Sequence, residues 1–211
     1  MSIPYLVIEG NIGAGKTSLA KKISRETNAR LILEQFNDNP FLPKFYDDKE
    51  RYAFPVELTF LADRYQQLKN EIEQKDLFQT NTVSDYYFVK SLIFSRKTLK
   101  DDEYSLYTRL FDIIQQQLTL PDLYVFLHLE TDRLLQNIKK RGRDYEKSIT
   151  HEYLENITKS YYDFMKNQSK LKILIIDCNN IDFVNSSNDY TKIKNVIFAS
   201  DYKPGINRIL L

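Results

Sequence analysis

Residues Tyr5–Thr17 read YLVIEGNIGAGKT. The first five form a short apolar run of the kind that makes a buried strand, and a helix is expected to start near Lys16. Between them Gly10-Asn11-Ile12-Gly13-Ala14-Gly15-Lys16-Thr17 matches G-x-x-x-x-G-K-[ST], with Ser18 next in the first helical turn. The chemistry of that pattern is specific. Glycines let the backbone wrap a phosphate with its N–H groups, the lysine reaches the outer phosphates, and the threonine hydroxyl coordinates Mg²⁺. The start of the helix adds its partial positive charge. The chain has only five glycines and spends three of them here. A chance match would have to fall between a strand and a helix by accident.

Beyond the loop, apolar runs and helical spacings alternate. Strands are expected at Arg30–Leu33, Thr80–Ser84, Asp122–Leu129 and Lys172–Asp177, and helices at Ala53–Gln74, Tyr87–Lys97, Glu103–Leu118, Thr131–Lys140, Thr150–Asn167 and Tyr190–Phe198. Thr131 and Thr150 read as caps. Asn37–Asp48, with Pro40 and Pro43, reads as turns, and Asn179–Asp189 as a loop. Strands alternating with helices imply an α/β fold, a five-stranded parallel sheet with helices on both faces. Ligands of such sheets sit at the carboxyl ends of the strands, which is where Glu9, Glu34, Asp85, Glu130 and Asp177 fall.

At 211 residues the chain fits one domain, and 42% hydrophobic residues can fill its core. Lys+Arg 30 against Asp+Glu 29 leaves no basic excess for nucleic acid. No run of apolar residues is long enough to cross a membrane. The chain opens directly on folded-looking sequence, so no secretion leader is expected. One cysteine, Cys178, excludes an intrachain disulfide, and a cytoplasmic setting is the expectation. His128 and His151 have no neighbours at metal-ligand spacing.

With these motifs in order, the chain resembles the deoxynucleoside kinase family, especially its short bacterial members, over about residues 5–198. The resemblance is carried by Gly10–Ser18, by Glu34 followed by Asn39-Pro40-Phe41-Leu42 and Phe45-Tyr46, by Leu61-Ala62-Asp63-Arg64, by Arg141-Gly142-Arg143 with Glu146, and by Asp177–Phe183. It implies a P-loop kinase fold occupying 1–211, with a lid at about 141–149. It implies ATP and Mg²⁺, a deoxynucleoside acceptor, and a homodimer formed through the helices at Ala53–Gln74 and Glu103–Leu118.

Roles follow residue by residue from the resemblance. Glu34 would orient the 5′-hydroxyl and take its proton, as a neutral acceptor requires. Lys16, Arg141 and Arg143 would hold the transferred phosphoryl group, whose transition state spreads charge over its oxygens. Thr17 and Asp85 would hold Mg²⁺, which keeps several waters and few carboxylates. Asp182 and Phe183 would lie beside adenine. Tyr46 and Glu146 would hold the 3′-hydroxyl, and Glu57, Phe60, Arg64 and Phe94 the nucleoside. One departure stands out: the family's third strand usually ends in an acidic residue and arginine, and here it ends Asp85-Tyr86. Lys90 or Arg64 is expected to supply the missing charge.

Glu57 is a second departure, because the family residue there is usually Gln. An ionised Glu offers acceptors only. That suits the N1–H/N2–H₂ edge of guanine, whereas Gln suits adenine's N1/N6 edge. A purine preference with deoxyguanosine ahead of deoxyadenosine is therefore expected, unless Glu57 pairs with Arg64. Two other readings stand beside the main one. A nucleoside monophosphate kinase of the thymidylate kinase type would need extra arginines and no hydroxyl base. A nucleotide-binding regulator would need no catalysis.

Overall fold

The computed structural model describes residues 3–35, 39–73, 81–199 and 201–211, with the side chains of 46, 72, 73 and 145 outside that description. Two compact units emerge, one of Met1–Leu33, Lys75–Tyr87 and Leu120–Leu211, the other of Glu34–Gln74 and Phe88–Thr119.

The first unit is built on a sheet of β1 (Tyr5–Gly10), β2 (Arg30–Ile32), β3 (Thr82–Ser84), β4 (Leu123–His128), β5 (Lys172–Asp177) and β6 (Gly205–Leu210). The order is β2-β3-β1-β4-β5-β6 and every pairing is parallel. Central strands of such a sheet are covered on both faces, so β1 and most of β4 read as unbroken buried runs. Side chains alternate between the faces. Leu6, Ile8, Val125, Leu127, Leu174 and Ile176 join a core with Leu19 and Ile23 of α1 (Lys16–Thr27) and Ile193 and Ile197 of α8 (Ser187–Phe198). On the other face, Tyr124 and Phe126 meet the rings of Phe164 and Tyr161 on α7 (His151–Lys166).

The sheet has six strands rather than the expected five. The additional strand lies in the tail, at the sheet edge beside β5. An edge strand is half covered, and Ile206 and Leu210 stand exposed while Asn207, Ile209 and Leu211 are partly buried. Its short alternating pattern after Lys203-Pro204 lacks the continuous apolar run by which the other strands are recognised. Helix α8 starts at Ser187, three residues before the expected start, because Ser186 caps it by accepting from Asp189 N–H at 3.2 Å. Thr150 caps α7 in the same way, through Tyr153 N–H. Thr131 instead is the first residue of α6 (Thr131–Arg141), whose cap position is Glu130.

The second unit is helical: α2 (Leu42–Asp47), α3 (Lys49–Glu73), α4 (Lys90–Thr98) and α5 (Asp101–Gln115). Helix α2 occupies part of the stretch expected to be turns, because Pro43 sits at its start, where a missing N–H costs nothing. Helix α3 begins four residues before Ala53 with an exposed charged turn that has no apolar period to read. Phe88 stacks on Phe111 of α5 at 4.9 Å. The expected strand start at Thr80 and helix end at Gln74 lie outside the described residues. Among those described, no helix is long and apolar enough to cross a membrane.

Candidate active site

In the first unit the loop Gly10–Thr17 joins β1 to α1 in a strained shape that glycine permits. Gly15 has φ +87°, and a Cβ there would lie 2.8 Å from Phe183 Cζ. Asn11 is buried and anchors the loop: its Nδ2 donates to Leu154 O at 2.7 Å and Thr158 Oγ1 at 2.8 Å, while Oδ1 accepts from Ile12 N–H at 2.7 Å. Ala14 N–H donates to Asn11 O at 3.2 Å. Lys16 Nζ donates to the same carbonyl at 2.9 Å. The Thr17 hydroxyl donates to Asp85 Oδ2 at 2.5 Å. A hydroxyl and a carboxylate side by side at the end of a phosphate loop are a donor set that fits Mg²⁺, which takes one or two protein oxygens and fills its other positions with water and phosphate.

A cleft of about 480 Å³ opens over this loop, lined by Gly13–Ser18, Arg141 and Arg143, and by Asp182 and Phe183. Three residues of α6 spaced four apart, and so on one helical face, organise it. Arg133 donates to the carbonyls of Asn179 and Ile181, the latter at 2.6 Å. Asn137 Nδ2 donates to Gly13 O at 2.9 Å. Arg141 reaches Glu146 through Nε at 3.0 Å and Nη2 at 2.6 Å. Arg143 Nη1 reaches the same carboxylate at 3.4 Å. Glu146 is buried and gathers both arginines around Gly142, whose φ of +72° caps the helix. Asp182 turns its carboxylate inward on its own loop, accepting from the Asn185 side chain at 2.8 Å and from the N–H groups of Val184 and Asn185. Those bonds, the Asn185 side chain first, hold its carboxyl below the usual range.

The second unit carries a carboxylate gripped by two cations. Glu34 Oε1 accepts from Arg64 Nε at 3.1 Å and Nη2 at 2.7 Å, and Oε2 pairs with Lys90 Nζ. Arg64 Nη1 donates to Ser91 Oγ at 2.8 Å. The guanidinium lies over the Phe60 ring at 5.0 Å and the Lys90 ammonium over Phe94 at 5.5 Å. Burial opposes charge on Glu34, but the charges of Lys90 and Arg64 and their hydrogen bonds outweigh it and bring the carboxyl down to about 2. Both cations expected to offset the missing arginine are thus on one carboxylate. Tyr86, at that arginine's position, is fully buried. Glu57 does not form the Glu57–Arg64 pair weighed above. It is 5% exposed, and its Oε1 accepts from Thr98 Oγ1 at 2.7 Å. Burial pushes its carboxyl up to about 7, against the Thr98 bond and the Arg64 charge.

The side chain of Tyr46 lies outside the described residues. Glu146 meets Arg141 and Arg143, and Phe60 and Phe94 lie against the cations of Arg64 and Lys90. Arg133, Asn137, Ser91 and Thr98 were not singled out from the sequence. The face Arg133–Asn137–Arg141 was the available signal, since three polar residues at spacing four run into the two-arginine segment.

A family model described as deoxynucleoside kinase matches residues 6–200. The chain is 33% identical to the deoxyguanosine kinase of Bacillus subtilis (strain 168) over 194 residues, which cover 90% of this chain and 94% of that one. It is 32% identical over 181 residues to a deoxyadenosine kinase of Dictyostelium discoideum, covering 85% and 74%. A solved deoxyadenosine kinase from M. mycoides, holding the products dCMP and a flexible dCDP, superposes with a TM-score of 0.78 at 24% identity, over 92% of this chain and 99% of that one.

Proposed function

The chain belongs to the deoxynucleoside kinase family, and we propose that it transfers the γ-phosphoryl group of ATP to the 5′-hydroxyl of a purine deoxynucleoside. The observation that carries this is Glu34, ionised and fixed by Arg64 and Lys90. A carboxylate held this way accepts a hydrogen bond from a neutral hydroxyl and so orients that hydroxyl's lone pair for attack. A site for a phosphate-bearing acceptor would leave cations free instead.

With its carboxyl near 2, Glu34 is a weak base. Phosphoryl transfer through a loose transition state tolerates that, because the attacking hydroxyl keeps its proton until late. Glu34 then orients the nucleophile and receives the proton once the P–O bond is largely made. Lys16, Arg141 and Arg143 neutralise charge on the transferred group. Closing the Arg141–Glu146 segment over the phosphates excludes water, the competing acceptor. Thr17 and Asp85 would hold Mg²⁺, which supplies charge neutralisation when bound.

The proposal treats residues 1–211 as one functional domain with its lid at about 141–149, in a cytoplasmic setting. It includes a homodimer through α3 and α5, supported by exposed Leu58, Leu106 and Ile113 on those helices. Consumption of ATP, measured with each deoxynucleoside and each deoxynucleoside monophosphate, is the test. The expected result is turnover on purine deoxynucleosides, a 5′-monophosphate product by mass, and loss of turnover in Lys16→Ala. Turnover on monophosphates alone would overturn the proposal.

A further inference from the structure

Glu9 is a fully buried carboxylate to which the reaction above gives no role. It stands near the end of β1, immediately before the phosphate loop, on the face of the sheet covered by α7. Taking a carboxylate out of water is costly unless its oxygens are well hydrogen-bonded. Here Oε1 accepts from Tyr87 N–H at 2.8 Å. Oε2 accepts from the Tyr161 hydroxyl at 2.9 Å and from Gly10 N–H at 3.4 Å.

The Tyr87 bond falls where the strand pairing stops. Strand β3 runs beside β1 from Tyr5↔Thr82 to Val7↔Ser84. The chain then leaves the strand, and Asp85 N–H donates to Ile32 O, on the β2 side, at 3.1 Å. Past the end of the β1–β3 ladder, the Glu9 side chain ties the departing segment back to β1 through Tyr87. The Ser84 hydroxyl donates to Tyr86 O at 2.6 Å and closes the turn between the two ties. Asp85 sits inside that turn, and its Oδ2 accepts from the Thr17 hydroxyl at 2.5 Å. One residue thus reaches both halves of the Thr17–Asp85 pair. Its backbone leads into the loop that carries Thr17, and its side chain holds the turn that carries Asp85. Helix α7 steadies both from one face, where Leu154 and Thr158 hold Asn11 and Tyr161 holds Glu9.

Resting on the phosphoryl-transfer reading above, we propose that Glu9 is a positioning residue for that reaction: its carboxylate sets the spacing between Asp85 and Thr17, and with it the place where the two would hold Mg²⁺. Reach matters for this role more than charge. Glu9→Gln has the same length. Its carbonyl oxygen can accept from Tyr87 N–H while its amide donates to the Tyr161 hydroxyl, which both donates and accepts. Glu9→Asp keeps the charge but is one methylene shorter, so it falls short of Tyr87 N–H from the same backbone. A role for the charge itself would give the opposite ranking.

Calorimetric titration with ADP, in Mg²⁺ and in EDTA, isolates the metal-dependent part of nucleotide binding without any turnover. In Glu9→Asp the ratio of the EDTA to the Mg²⁺ dissociation constant should shrink by roughly 10- to 100-fold, the usual cost of losing a group that orients a metal ligand. The EDTA value should be nearly unchanged, because Asn11 and the glycines still shape the loop. The kcat should fall with the ratio while KM for the deoxynucleoside holds, and Glu9→Gln should recover most of both. If Glu9→Asp does not fold, Ser84→Ala opens the same turn at its other tie and should shrink the ratio in the same direction. Unchanged ratios in these variants overturn the inference. So does a larger loss in Glu9→Gln than in Glu9→Asp, or equal weakening with and without metal, which marks damage to the loop as a whole. A wild-type ratio near one removes Thr17 and Asp85 as metal ligands and the inference with them. Absence of turnover on every deoxynucleoside would sink the phosphorylation reading, while the binding ratios still decide the role of Glu9.

Discussion

Glu34 and Glu57 sit in the same helical unit, the first partly buried and the second buried, and their carboxyl groups move in opposite directions. The difference is what surrounds each charge: two cations for Glu34, and one hydroxyl with a more distant guanidinium for Glu57. Glu34→Gln keeps the shape and removes the negative charge and the base. The rate should fall by roughly 10²–10⁴ while the nucleoside KM changes little, as steady-state kinetics will read; near-normal kcat would take Glu34 out of the chemistry. Glu57 also makes stability depend on pH. The folded carboxyl keeps its proton up to about 7, whereas the unfolded one releases it near 4.5. Between those values the folded state binds more protons, so stability falls as pH rises through the window, by about 3 kcal/mol in all. Glu57→Gln should therefore raise Tm by several degrees at pH 8 and by little at pH 5 in a melting series. Glu34 runs the other way, its stabilisation being lost as pH falls from 4.5 toward 2. Glu34, Arg64 and Lys90 could be picked out from position and charge. Thr98 and Ser91 could not, because a hydroxyl's partner depends on which helices pack together.

Helix α6 shows the same division among larger pieces. Its apolar side was readable from spacing, but the work of its polar face was not. Arg133 spans the loop that carries Asn179 and Ile181, Asn137 holds the phosphate loop, and Arg141 holds Glu146. Two of the three partners are backbone carbonyls far away in sequence, which leave no mark on composition. Arg133→Met keeps much of the side chain's bulk and removes both donors, so the loop that carries Asn179 and Ile181 should loosen. Initial rates with ATP varied should show its KM rising roughly 3- to 30-fold, in keeping with the loss of charged hydrogen bonds, and kcat changing less; an unchanged KM would reduce Arg133 to packing. Periodicity located β1, β4, β5 and the long helices because they bury continuous stripes. It overlooked α2 because proline is a breaker everywhere except at a helix start. It overlooked β6 because an edge strand needs only every other residue to pack.

The two units carry different chemistry, and all six strands belong to one of them. Strand β6 contributes no residue to the cleft over the phosphate loop, yet it pairs with β5 from Lys172↔Gly205 to Asp177↔Leu210. Ending the chain at Lys203 should leave β5 as an unpaired edge and remove the packing of Ile209 and Leu211. Because both side chains are only partly buried, the loss is about 1.5–3 kcal/mol in all, which corresponds to a Tm lower by roughly 3–12 °C. Calorimetry of the shortened chain checks this, and its KM for ATP is expected to hold. The strand order has one more consequence, which concerns time rather than geometry. Strand β1 is made first but lies in the middle of the sheet, between β3 and β4. During synthesis it has no sheet neighbour until the chain has grown past Ser84 on one side and His128 on the other. Gly10 takes its place against Leu127, where an added Cβ would meet that residue's carbonyl oxygen at 2.9 Å. The phosphate loop therefore reaches its working shape only after more than half the chain exists, and a ribosome-bound fragment that stops short of β4 should not retain nucleotide.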